Sequence, residues 1–250
     1  MKQLVVDRLP ERGASVALRE DQRHYLLRVR RLGHGDRLLC TDEQGRRGEV
    51  ELAVAEGTLR LHLVRELDGP TDRRPTVLAA ALLKGRRFET VLRQATELGV
   101  HRIVPVLAEH CVSRPDPGEL RRKSARWEAI AREATQQSGR PGLPVITPPV
   151  RVAQLADEGP GLVLDESEGE PLHRAIERLE TEPVLRFVIG PEGGLSDAER
   201  QQLHAAGWTS VHLPFPVLRA ETAAVAATAL VQLLASDYTA ASTARRTSDG

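Results

Sequence analysis

Three short segments of this 250-residue chain concentrate the residues that could do chemistry. FVIGPEGGLSDAE (187–199) passes from an apolar run through a proline and three glycines around Glu192. Gly193 and Gly194 let backbone approach a bound molecule closely, and the helix start beyond adds amide donors. A tight strand-to-helix turn would read the same way. VHLPFPVLRAETAA (211–224) is apolar and stiffened by Pro214 and Pro216. It offers fixed backbone amides and carbonyls to a planar, partly apolar ligand such as adenine. Arg219 and Glu221 follow it, a cation and a carboxylate of the kind that stabilises developing charge and moves protons. Their plainer roles are a mutual ion pair and, for Glu221, a first-turn helix-dipole contact. LVLDES (162–167) is the third segment. Open α/β sheets bind ligands where strands end at their C-terminal edge, which is where all three segments fall.

The elements that must position them read as alternating strands and helices. Strands are expected at 76–83, 102–108, 162–166, 185–190 and 210–213, and helices at 86–99, 118–139, 171–180, 196–206 and 221–236. TVLAAALL is fully apolar, as a buried parallel strand should be. Ser196 and Glu199 form a capping box. The alternation implies a parallel sheet covered by helices on both faces. Residues 1–66 differ: short strands at 4–6, 15–18, 36–41, 48–52 and 58–64 surround one helical stretch, 21–32, with Tyr25, Leu26, Val29 and Leu32 on one face. Such a run suggests a small β-barrel. DGPTDRRP (68–75) reads as a linker between the two regions. The small, polar stretch 237–250 is expected to be a disordered tail. The last helix is small and apolar nearly all round, so it is either core or an interface with the same helix of a second copy.

Composition excludes several classes. Lys+Arg and Asp+Glu both number 35, so bulk charge does not make this a nucleic-acid or membrane coat. Residues 73–140 nevertheless carry 14 basic against 7 acidic groups, and residues 141–200 carry 5 against 12. That asymmetry suggests a basic face for an anionic partner, or two solvated faces that partly neutralise each other. Two cysteines, Cys40 and Cys111, make neither a disulfide framework nor a zinc motif, which fits a reducing, cytoplasmic setting. No apolar stretch reaches signal-peptide or membrane-span length. Dinucleotide, P-loop, zincin and serine-hydrolase motifs are absent, and eight scattered histidines show no ligand spacing, so no metal is expected.

GPEGGLSDAE (190–199) followed by VLRAETAAVAATALVQ (217–232) resembles the RsmE family of 16S ribosomal RNA (uracil-N3)-methyltransferases. The resemblance extends through RHYLLRVRRLGHGDRL (23–38), LLKGRRFETVLRQATELGV (82–100) and REATQQSGRPGLPVI (132–146), in order along nearly the whole chain. It implies a PUA-like β-barrel over 1–70 that binds RNA, and an α/β SPOUT methyltransferase domain over 74–236 with a deep C-terminal trefoil knot, working as a homodimer. A knot departs from ordinary connection rules, and strand pattern alone does not suggest it. The implied cofactor is S-adenosyl-L-methionine, with Gly190, Glu192, Gly193 and Gly194 in its central loop and Leu164 and Ile189 at flanking strand ends. Leu213, Pro216, Val217 and Leu218 would wrap the adenine, with Thr222 a further contact. The chain departs from the family where Pro214 and Pro216 replace the usual glycine and basic residue.

The chemistry follows from the substrate this implies. Uracil N3 carries an imide proton and is a poor nucleophile until that proton leaves; Glu221 is the candidate base and Arg219 the candidate cation. The sulfonium donor leaves as a neutral thioether, so no metal is required. RNA contacts are expected from Arg23, His24, Arg28, Arg30 and Arg31 in the barrel, and from Lys84, Arg86, Arg87, Gln137 and Arg140 beyond it, with 16S RNA or the small ribosomal subunit as partner. Two other readings fit less of the sequence: a SPOUT enzyme acting on tRNA or a ribose hydroxyl, and a non-catalytic RNA-binding protein on the same scaffold.

Overall fold

The computed structural model describes residues 3–55, 58–68, 74–166 and 169–248, with side chains through residue 236. The chain divides into two compact units, 1–71 with 135–143, and 72–134 with 144–250. The return of 135–143 to the first unit is not foreseen by the sequence, whose only visible boundary is the linker.

The first unit contains β1 (Gln3–Val6), β2 (Ser15–Ala17), α1 (Glu20–His24), β3 (Arg37–Asp42), β4 (Arg47–Ala55) and β5 (Thr58–Leu67). The strands form one mixed sheet in the order β1-β3-β4-β5-β2, with β1 and β3 parallel and the other pairs antiparallel. With β1 and β2 as its two edges it is a half-barrel, built on alternation such as buried Val50 and Leu52 in β4 against Leu59 and Leu61 in β5. The expected 21–32 helix is shorter: α1 passes into a π turn over Tyr25–Val29, and Arg30 N bonds Tyr25 O at 2.9 Å. That wider turn leaves Leu26 in the core and rotates Val29 outward to 61% exposure, so the four-residue apolar face does not form.

The second unit contains β6 (Thr76–Ala81), α2 (Arg87–Glu97), β7 (Arg102–Leu107), α3 (Pro117–Ser138), β8 (Val145–Ile146), β9 (Val150–Arg151), α4 (Val152–Ala156), β10 (Leu162–Leu164), β11 (Glu170–Pro171), α5 (Leu172–Arg178), β12 (Leu185–Ile189), α6 (Asp197–Ala205), β13 (Thr209–His212) and α7 (Ala220–Ser248). The last turn of α3 belongs to the first unit. All strand pairs are parallel, in the order β11-β13-β10-β12-β6-β7-β8, with β9 also on β7. Every residue of β6 is buried, as the apolar run Val77–Ala81 requires, and polar Thr76 at its start accepts from Gln232 Nε2 at 3.1 Å. Phe88 of α2 and Trp127 of α3 pack ring on ring, centroids 4.9 Å apart, and Arg126 grips Glu89 with two hydrogen bonds beside them. After β13 the chain returns to lay α7 against α2, β6 and β12. That return past its own strands is the connection through which the implied knot would be threaded.

Four short elements escape a periodicity reading because none exceeds five residues: α4, β8, β9 and β11. In the other direction, α7 continues to Ser248 through the stretch expected to be a disordered tail. Its Ala, Ser and Thr residues include no Pro or Gly before Gly250, so nothing local stops the helix. Among the described residues no helix is long and apolar enough to cross a membrane.

Phe187 on β12 is fully buried in this core. Phe187→Ala should lower unfolding free energy by about 3–5 kcal/mol, read from the denaturant midpoint.

Candidate functional site

The register of three strands brings the three chemistry-bearing segments together. β10 lies between β12 and β13, with Leu164 opposite both Ile189 and Val211. Their C-terminal ends therefore form one row, and the loops that leave them wall a cavity of about 650 Å³. Of the proposed ligand-binding residues, Leu164, Ile189, Gly190, Glu192, Gly193, Gly194, Leu213, Pro216, Val217 and Leu218 line it, as does Arg219. Thr222 does not; it is exposed on α7.

The central loop is a turn folded on itself. Gly194 N donates to Pro191 O at 2.9 Å, with Gly194 at φ +69°, a conformation that side chains disfavour. The loop returns so closely that a Cβ on Gly190 would meet Leu195 N at 2.9 Å and Gly194 C at 3.0 Å. Ser196 then starts α6 as expected: its Oγ accepts from Glu199 N at 3.3 Å, and Glu199 Oε2 accepts from Ser196 N at 3.0 Å.

Charge of both signs surrounds the cavity. Arg87, at the start of α2, donates to Glu192 Oε1 at 2.8 Å, and its Nε stands 3.8 Å from Glu221 Oε1. Arg87 is thus a clamp between the central loop and α7, while its side chain stays 44% exposed. Glu221 lies in the first turn of α7, between the lining residues Ala220 and Ala223 in sequence, and does not itself line the cavity. Its other carboxylate oxygen is buried with no hydrogen-bond partner among the described residues. Arg219 is exposed and makes no ion pair among the described residues, so the suggested Arg219–Glu221 pair is replaced by Arg87–Glu221.

Several wall residues were not singled out from the sequence. Asp165 and Glu166 line the cavity beside Leu164; a carboxylate pair ending an apolar strand was the available signal. Arg200 of α6 lines it too, donating to Leu195 O at 2.8 Å with its NH1 3.9 Å from Asp165 Oδ2. Phe215, 49% exposed, stands at the rim with Val217.

The cavity fits S-adenosylmethionine on its own features. The donor's adenine needs an apolar slot, which Leu213, Val217 and Leu218 supply, and its cationic centres need carboxylates, present as Asp165, Glu166 and Glu192. Its carboxylate needs a cation, and Arg87, Arg200 and Arg219 are at hand. A Cβ at Gly190 would meet the turn's own backbone, whereas at Gly194 nothing lies within 4 Å, so there the bare backbone stands open to a bound molecule. Among the described residues no three His, Cys, Asp or Glu side chains converge as a metal site.

The expected RNA contacts fall into two kinds. Arg23, His24, Arg28 and Arg31 are exposed on the first unit, and Lys84 and Arg86 are exposed on the loop before α2. Gln137 is exposed as well. Arg30 instead lies over the Tyr25 ring, 5.2 Å from its centroid, with Nε donating to the Tyr25 hydroxyl. The guanidinium of Arg140 is desolvated, which pushes its pKa down to about 10, and its carbonyl accepts from Gln3 Nε2 at 2.8 Å. Arg30 and Arg140 are therefore packed groups rather than open phosphate binders.

Comparison with known proteins agrees with this geometry. An RNA methyltransferase domain family matches residues 70–232, and an RNA methyltransferase PUA domain family matches residues 18–64. The ribosomal RNA small subunit methyltransferase E of Mycobacterium bovis is 33% identical over 245 residues, covering 94% of this chain and 92% of that protein. The protein of the same name from Bacillus subtilis is 28% identical, covering 85% and 88%. Among solved structures, the Neisseria gonorrhoeae ribosomal RNA small subunit methyltransferase E bound to S-adenosyl methionine superposes with a TM-score of 0.80 at 28% identity, covering 94% of this chain and 98% of that one.

Proposed function

The chain belongs to the ribosomal RNA small subunit methyltransferase E family, and from that premise we propose that it transfers a methyl group from S-adenosyl-L-methionine to N3 of a uridine in 16S ribosomal RNA. The observation that carries this reading is the cavity where β10, β12 and β13 end, walled by the glycine turn and the proline-stiffened loop. S-adenosylmethionine, when bound, supplies an electrophilic methyl carbon on a positively charged sulfur. Glu192, Gly193 and Gly194 would hold it on one side and Leu213, Pro216, Val217 and Leu218 on the other. Glu221 takes the imide proton from N3 with the carboxylate oxygen that no described protein group occupies. Arg219, exposed at the cavity mouth, stabilises the negative charge that then spreads onto the uracil oxygens. Arg87 keeps Glu221 and Glu192 in place from the side.

The half-barrel supplies sequence-independent grip on phosphates. Replacing exposed Arg28 and Arg31 by Glu should weaken RNA binding and flatten its salt dependence, by about 0.7–0.9 in log–log slope for each phosphate no longer neutralised. An unchanged slope would remove this face from the RNA site. A homodimer is supported by the outer side of α7, where Thr222, Ala229 and Leu233 are exposed at helical spacing around half-buried Ala226. Light scattering on the purified protein decides that point. The cytoplasm, where ribosomal RNA is found, is the proposed location. Mass spectrometry of small-subunit RNA from cells lacking the protein tests the function: one N3-methyluridine should disappear.

A further inference from the structure

We propose that His110, on the segment joining β7 to α3, is a positioning residue that sets the shape of the glycine turn before any ligand arrives. The inference rests on the reading of the cavity as the S-adenosylmethionine site. His110 does not line the cavity. Its Nδ1 lies 3.0 Å from Gly193 O and 3.2 Å from Gly194 O. Carbonyl oxygens only accept, so Nδ1 carries the proton and shares it between two consecutive carbonyls.

One ring therefore orients two peptide planes. In a trans peptide the N–H points opposite to the C=O. With both carbonyls turned toward His110, the amides of Gly194 and Leu195 point away from it. The Gly194 amide reaches Pro191 O at 2.9 Å and closes the turn. Leu195 N comes down over Gly190, where a Cβ would meet it at 2.9 Å. The approach of the imidazole is itself close, since a Cβ on Gly193 would lie 3.2 Å from His110 Cβ.

The segment that carries His110 is also pinned. Glu109 N donates to Glu199 Oε1 at 2.8 Å, while the other oxygen of Glu199 caps α6 through Ser196 N at 3.0 Å. Arg114 folds back onto Glu109 O at 2.7 Å and Cys111 O at 3.4 Å. Glu199 thus joins the His110 segment to the helix that the glycine turn feeds. A turn already held in its binding shape gives up less freedom when a ligand docks, and that difference appears as affinity.

The test is calorimetric titration of the full chain with S-adenosylmethionine, alongside thermal unfolding without ligand. His110→Ala should raise the dissociation constant about tenfold, with turnover at saturating donor within about threefold of wild type. His110→Asn keeps an N–H donor near the Nδ1 position and should bind within about threefold of wild type. A role in fold stability alone would shift the unfolding midpoint without ranking the variants by donor capacity. His110→Ala binding within about twofold of wild type, or His110→Asn as weak as His110→Ala, overturns the proposal. If His110→Ala does not fold, Glu199→Gln replaces it: it keeps one capping oxygen, gives up an acceptor, and should weaken S-adenosylmethionine binding about threefold or more. Unchanged affinity in that variant likewise overturns the proposal. A wild-type protein that takes up no S-adenosylmethionine would overturn the proposed function as well, whereas equal binding by wild type and variant overturns this inference only.

Discussion

Glu221→Gln is expected to lower turnover at least about 100-fold while S-adenosylmethionine affinity stays within about threefold. The substitution keeps the side chain's size and its place in the first turn of α7, and removes the capacity to take a proton together with the charge that faces Arg87 at 3.8 Å. A positioned base is worth roughly 10²–10⁴ in rate, and no other carboxylate near the cavity has a buried oxygen without a partner among the described residues. Arg219→Ala should lower turnover by roughly tenfold or more because charge stabilisation is removed. Single-turnover methyl transfer separates these effects from binding. If both variants turn over within about threefold of wild type, the assignment of base and cation is wrong.

Gly190→Ala should act on binding instead. A Cβ there meets backbone, Leu195 N at 2.9 Å and Gly194 C at 3.0 Å, not a side chain that can swing aside. The turn must open, at a cost of about 1–3 kcal/mol, so donor affinity should fall about 10–100-fold. Gly194→Ala probes a different cause. A Cβ at Gly194 meets nothing within 4 Å, so any weakening there reports the +69° φ rather than crowding. Calorimetry on the two variants distinguishes the mechanisms, and Gly190→Ala binding as tightly as wild type would contradict the packing of the turn.

The parts of this molecule that were legible from sequence are those fixed by local pattern. β6 is apolar from Val77 onward because neighbours cover both its faces, and α6 announces itself through Ser196 and Glu199. The glycine turn and the proline-stiffened loop were visible as segments, and strand register then did what sequence could not: it set Leu164 against Ile189 and Val211 so that three loops meet. The illegible parts depend on distant partners. Arg87 reads as one more surface arginine until Glu192, 105 residues later, takes its guanidinium. His110 reads as a lone histidine until the carbonyls of residues 83 and 84 positions later come within reach. Arg30, in a basic run, and Arg140, on a proline-rich loop, look like RNA contacts, but Tyr25 holds the first and desolvation withdraws the second. The π turn at 25–29 preserves the composition of a helix while moving Val29 off its buried face.

The most direct measurement is transfer of isotope-labelled methyl from S-adenosylmethionine to small ribosomal subunits isolated from cells without this protein, followed by nucleoside mass spectrometry. The proposed methyl transfer predicts label on N3 of a uridine with wild type and none with Glu221→Gln. Tight S-adenosylmethionine binding with no methyl delivered to any uracil ring would contradict it.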